Sequence, residues 1–106
     1  SALSVARARL PADAEVIASS GVMGGFYSHA VLYPLEASPQ AFTVDRPTVV
    51  FVVEAVEGVE IEAPAAAERQ LHDIYAVLHA RLVVNRDNVS VLEWRPPPST
   101  TAVVLP

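Results

Sequence analysis

The polar and apolar positions of the chain fall into three kinds of pattern. The plainest is the run Thr48-Val49-Val50-Phe51-Val52-Val53-Glu54-Ala55-Val56, which holds a single charge. Strands covered on one face alternate apolar and polar residues, whereas strands covered on both faces read as continuous apolar runs. This run therefore predicts a central strand. Glu57-Gly58 reads as a tight turn, and Val59 and Ile61 alternating with Glu60 and Glu62 predict a partner strand with one wet face. The third pattern starts at Pro64, a residue suited to the first helical position. Leu71, Ile74, Tyr75, Leu78 and Leu82 follow at helical spacing, and Ala65, Ala66 and Ala67 add helix propensity. The spacing predicts an amphipathic helix over 64–82 whose stripe packs on the sheet.

The remaining segments are read around these three. Residues 1–20 carry a helical signal: Leu3, Ala6 and Leu10 share a face, and Pro11 interrupts it. Asp13 and Glu15 suit a new helix N-terminus, and Ser19-Ser20-Gly21 ends it. Gly21-Val22-Met23-Gly24-Gly25 reads as a turned connection; a phosphate loop would need a preceding strand and a following Lys-Ser/Thr pair. Residues 26–35 predict a strand with Pro34 at a sheet edge. Residues 36–47 predict a long loop, with Pro39 and Phe42 as contacts to a partner. Asn85-Arg86-Asp87-Asn88 is a turn by composition, and 89–95 is a strand. Pro96-Pro97-Pro98 is an extended spacer, and 100–105 is a strand that closes the sheet or pairs with a neighbouring subunit. The expected architecture is one α+β domain over 1–106. It has a mainly antiparallel sheet of four or five strands, helix 64–82 on one face, and a short helical N-terminus.

Composition and its distribution sharpen this picture. Apolar residues make up 52% of the chain and charged ones 18%, so charged surface is scarce and part of the apolar surface is expected to be covered by other subunits. The net charge is −5 and every basic residue is Arg; an acidic chain without a basic cluster argues against a nucleic-acid partner. The absence of Cys excludes disulfides, thiol catalysis and thiolate metal sites. No apolar run reaches the ~18 residues of a membrane span and no basic-then-apolar leader opens the sequence, so a cytoplasmic location is expected, or a virion for a phage protein.

Candidate chemistry is sparse. No Gly-x-Ser-x-Gly elbow or Gly-x-Gly-x-x-Gly fingerprint is present. An acid–base site would be built from His29, Glu68, His72, Tyr75 and His79, with Tyr27 nearby. Glu68 and His72 stand four apart on the predicted helix, where a surface pair is the favoured reading. His79 is seven residues beyond His72, roughly 10 Å along a helix axis, too far to share one ion, so no metal or other cofactor is expected. Glu54, Glu57, Glu60 and Glu62 read as a solvated face that guards the sheet edge.

Three stretches carry a likeness: Arg46-Pro47-Thr48-Val49-Val50-Phe51-Val52, Val59-Glu60-Ile61-Glu62-Ala63-Pro64 and Glu68-Arg69-Gln70-Leu71. Their order resembles the small head-to-tail joining and tail-terminator proteins of tailed phages. The resemblance covers about half the chain at the level of pattern and carries over no functional residue. It implies a ring subunit of sheet and helix. The expected function is a non-enzymatic structural subunit with homo-oligomeric contacts and contacts to other protein subunits. Phe42, Pro39, Trp94, Val103 and Leu105 are the contact residues. The alternative is a small dimeric enzyme or ligand-binding protein with a pocket between helix and sheet near His29, His72 and Tyr75.

Overall fold

The unbroken apolar run is the middle of the sheet. A computed structural model describes residue 8 and residues 14–19, 31–35, 40–54, 64–86 and 88–105. Its elements are β1 (Glu15–Ser19), β2 (Val31–Leu35), β3 (Gln40–Thr43), β4 (Val49–Glu54), α1 (Pro64–Leu78), β5 (Arg81–Arg86), β6 (Val89–Trp94) and β7 (Ala102–Leu105). The main sheet has the order β2-β1-β4-β6-β5, and β3 and β7 form a separate two-stranded ribbon. The chain is α+β, as expected.

The sheet is mixed rather than mainly antiparallel. β1 runs parallel to both β2 and β4, while β6 runs antiparallel to both β4 and β5. The parallel half exists because residues 15–19, expected to be helical, are a strand. Val16 and Ile17 are β-branched, and inside a sheet that preference prevails over local helical cues. All five residues of β1 are buried, as a strand with neighbours on both edges and cover on both faces must be. Ala8 is helical and exposed; the rest of the expected helical N-terminus lies outside the described residues, as do the Glu57-Gly58 turn and the 59–62 strand. β2 is the outer strand at its end of the sheet, which is where Pro34 can sit without breaking a central ladder.

Strand alternation divides the core in two. Val16 and Ala18 of β1, Val50 and Val52 of β4, and Val89 and Val91 of β6 form one face, all Val and Ala among the described residues. Ile17, Val49, Phe51, Val53, Leu92 and Trp94 form the other, against Ile74 of α1, Phe42 of β3 and Val103 of β7. α1 packs on β4 and β7. Phe42 meets Phe51 edge to face, with centroids 6.5 Å apart and rings at 71°, an arrangement that adds about 0.5–1.5 kcal/mol beyond area burial.

Several boundaries move for physical reasons. α1 ends at Leu78 rather than 82 because His79 takes a left-handed conformation, φ 57°, and the chain must then pair Arg81 with Glu93 in β5. Leu82 is thus on a strand and exposed. The buried side of α1 carries Gln70 and Ile74 with Leu71 and Leu78 half-buried, whereas Tyr75 is exposed. The 36–47 loop contains β3, which pairs with the C-terminal strand β7. The proline run does not stay extended to its end. The amide and hydroxyl of Thr100 both donate to the Pro97 carbonyl, at 3.2 and 2.7 Å, and Ser99 has φ 71°. That is the signature of a type II turn with Pro98 at its second position, and it carries the chain from the main sheet to the ribbon.

Phe51 has zero exposure at the meeting point of sheet, helix and ribbon. Phe51→Ala is expected to cost about 3–5 kcal/mol, read as a lowered urea midpoint at unchanged slope. A loss under about 1 kcal/mol would show that the three layers do not share one core.

Candidate functional site

Among the described residues, a concave surface lies where α1 ends and the β5–β6 pair begins. This open cleft, about 590 Å³ in volume, is walled by Leu78, Trp94 and Pro97 and rimmed by His79, Arg81, Glu93 and Arg95. The hairpin register builds it. Arg81 stands directly across the ladder from Glu93, and Arg95, two residues past Glu93, emerges on the same side by strand alternation. Both guanidiniums approach the same carboxylate oxygen: Arg81 Nη2 and Arg95 Nε each lie 3.6 Å from Glu93 Oε1. The Glu93 side chain is only 12% exposed, while those of Arg81 and Arg95 are 75% and 78% exposed. A nearly buried carboxylate thus holds two solvent-facing cations, leaving one net positive charge on an acidic chain.

The helix end that forms the opposite wall is held by backbone bonds. The His79 amide donates to the Tyr75 carbonyl at 3.0 Å, and the Ala80 amide to the Ile74 carbonyl at 3.4 Å. Left-handed residues commonly close helices, usually as Gly; His is one of the side chains that tolerate the conformation.

A second polar feature is buried in the sheet. Glu15, at the start of β1, has zero exposure. Its Oε1 accepts the Asp45 amide at 2.9 Å, and its own amide donates to the Thr48 carbonyl at 3.0 Å. Oε2 is buried without a hydrogen-bonding partner among the described residues. At the other end of β1, Ser19 Oγ accepts the Glu54 amide at 3.0 Å. The two polar side chains thus fasten the segment that leads into β4 and the last residue of β4. Burial pushes the Glu15 carboxyl above its ordinary 4.5; the Asp45 amide opposes this, the Asp45 charge adds to it, and the Arg46 amide and charge pull back.

The residues expected from sequence are dispersed. His72 is exposed on α1, 3.8 Å from the neighbouring Asp73 carboxylate; Tyr75 is exposed on the same helix, and His79 is at the cleft rim. His29, Tyr27 and the Glu68 side chain lie outside the described residues, and so does Pro39. Phe42, Trp94 and Val103 are buried in the chain's own core, which leaves little of them for a second subunit, and Leu105 pairs with Gln40 in the ribbon. Among the described residues there is no group of three or more metal-ligating side chains and no helix long and apolar enough to cross a membrane. Arg81, Glu93 and Arg95 were not singled out by sequence; the signal available was the Glu-x-Arg spacing, which puts both side chains on one face of a strand. Comparison with protein-family models, curated proteins and solved structures finds no match.

Two outcomes follow from this geometry. The raised Glu15 value means that the folded chain holds this proton more tightly than the unfolded one. Stability is therefore greatest below 4.5 as far as this group is concerned, and falls as pH rises through the window between 4.5 and the raised folded value. Glu15→Gln keeps an acceptor for the Asp45 amide and removes the buried charge, so its thermal midpoint should exceed wild type at pH 7. That advantage should shrink toward pH 4.5; an advantage constant across this range would contradict the account. At position 79, Gly escapes a left-handed penalty of about 1–2 kcal/mol but loses up to about 1 through unfolded-state entropy. His79→Gly should then gain about 0.5–1 kcal/mol in urea unfolding, and a loss would show that the imidazole makes a stabilising contact.

Proposed function

We propose that this chain is a non-enzymatic assembly subunit that buries the outer face of the β3–β7 ribbon against another copy of itself. The observation that supports this reading is the makeup of that face. Alternation turns Phe42 and Val103 inward and leaves Ala41, Thr43, Ala102 and Val104 on the exposed side. Ala41 stands opposite Val104, and Thr43 opposite Ala102. None of the four carries a charge, and Val104 is 58% exposed. Copies of a chain with net charge −5 repel one another at a distance. An uncharged patch of small side chains is where two such copies come together with the least charge to desolvate. A self-complementary patch closes a twofold pair, whereas an offset contact generates a ring.

A place at the head–tail junction of a tailed phage is the specific form of this proposal, with other virion proteins as further partners. It rests on the pattern of residues 46–52, 59–64 and 68–71, and the virion or cytoplasmic setting rests on the same footing.

Val104→Arg places a cation at the centre of the uncharged face without touching the core. Sedimentation velocity should show a discrete oligomer for the wild type and a monomer for the variant, with unchanged circular dichroism spectra. A wild type that stays monomeric at every concentration, or a variant that keeps the oligomer, would overturn the proposal.

A further inference from the structure

We propose that the cleft between the end of α1 and the β5–β6 corner binds an oxyanion, the carboxylate or phosphate group of a small molecule. This goes beyond the assembly reading and does not depend on it.

The argument starts from how the two arginines are held. At 3.6 Å from Glu93 Oε1, each guanidinium is in an ion pair too long to be a hydrogen bond. Each guanidinium carries five N–H donors in a planar fork matched to carboxylate and phosphate oxygens. Their exposure leaves the forks turned toward water. Ion pairs this exposed stabilise a fold by very little, so stability alone gives no reason for two arginines to converge on one carboxylate. A binding role does: both forks stand beside one carboxylate, and a charge of +1 remains for a ligand.

The surroundings suit an organic anion. Leu78, Trp94 and Pro97 line the same open cleft as the charges and offer apolar contact to the rest of such a molecule. All seven basic residues of the chain are Arg, and two of them meet here. On a chain with net charge −5, an anion is not attracted by the molecule as a whole, so binding must come from this local site. Arg81 and Arg95 are the binding residues, and Glu93 is the carboxylate with which a ligand competes for them.

The signs of three substitutions separate this proposal from a structural ion-pair network. Titration calorimetry of the whole chain at low ionic strength, with inorganic phosphate and separately with citrate, should give saturable binding of at least one of them at one site. Saturation by phosphate alone would assign a phosphate group, and by citrate alone a carboxylate. Arg81→Gln and Arg95→Gln, each at an exposed side chain, should weaken that binding by about tenfold. Glu93→Gln should tighten it, because it removes a competing carboxylate and raises the local charge from +1 to +2. The proposal is overturned if neither anion gives saturable heat or if the arginine variants bind like wild type. It is equally overturned if Glu93→Gln, with an unchanged circular dichroism spectrum, binds more weakly.

Discussion

The structure depends on a five-residue strand being dry on every side. β1 lies between β2 and β4, so its backbone is paired on both edges, and its side chains fill both core faces. An unpaired peptide group in that position would cost free energy comparable to a lost hydrogen bond. Its two polar side chains, Glu15 and Ser19, sit at the two ends of the strand, and each accepts one amide, from Asp45 and Glu54. Through them β1 fixes where β4 begins and ends. The alternation that follows puts Phe51 under the helix and ribbon and, among the described residues, fills the opposite face with Val and Ala.

From that centre the rest of the chain is placed in order. β4 pairs with β6, and β6 with β5 across a hairpin in which Arg86 faces Val89 and Asn88 is left-handed, φ 62°. A register shift between Leu82 and Val84 bulges β5, the outer strand at this end of the sheet; a bulge and an arginine at an edge both discourage unwanted strand pairing. The same register sets Arg81 opposite Glu93, so the cleft is a consequence of how the hairpin closes. The ribbon is a separate device, reached by the turn at Pro97–Thr100, with an inner side that completes the core and an uncharged outer side.

What could be read from sequence follows physical scale. β4 was legible because residues 49–53 are apolar without a break. α1 was legible because Pro64, the alanines and Ile74 agree with one another, although Gln70 rather than Tyr75 takes the buried place. β1 was not legible: its apolar part is only Val16-Ile17-Ala18, and its flanking Glu and Ser look like helix-end residues until their buried amide partners are known. β3 is four residues inside an apparent loop, and its partner comes from the far end of the chain. The cleft depends on cross-strand register, which a pattern along one strand does not contain.

Amide hydrogen exchange tests the central claim most directly. If β1 is the strand on which the sheet is assembled, the amides of Val16, Ile17 and Ala18 will exchange only through global unfolding, as slowly as that of Phe51. Exchange of these amides orders of magnitude faster than that of Phe51, through local opening, would contradict the account: the sheet would then be organised around β4 and β6 alone.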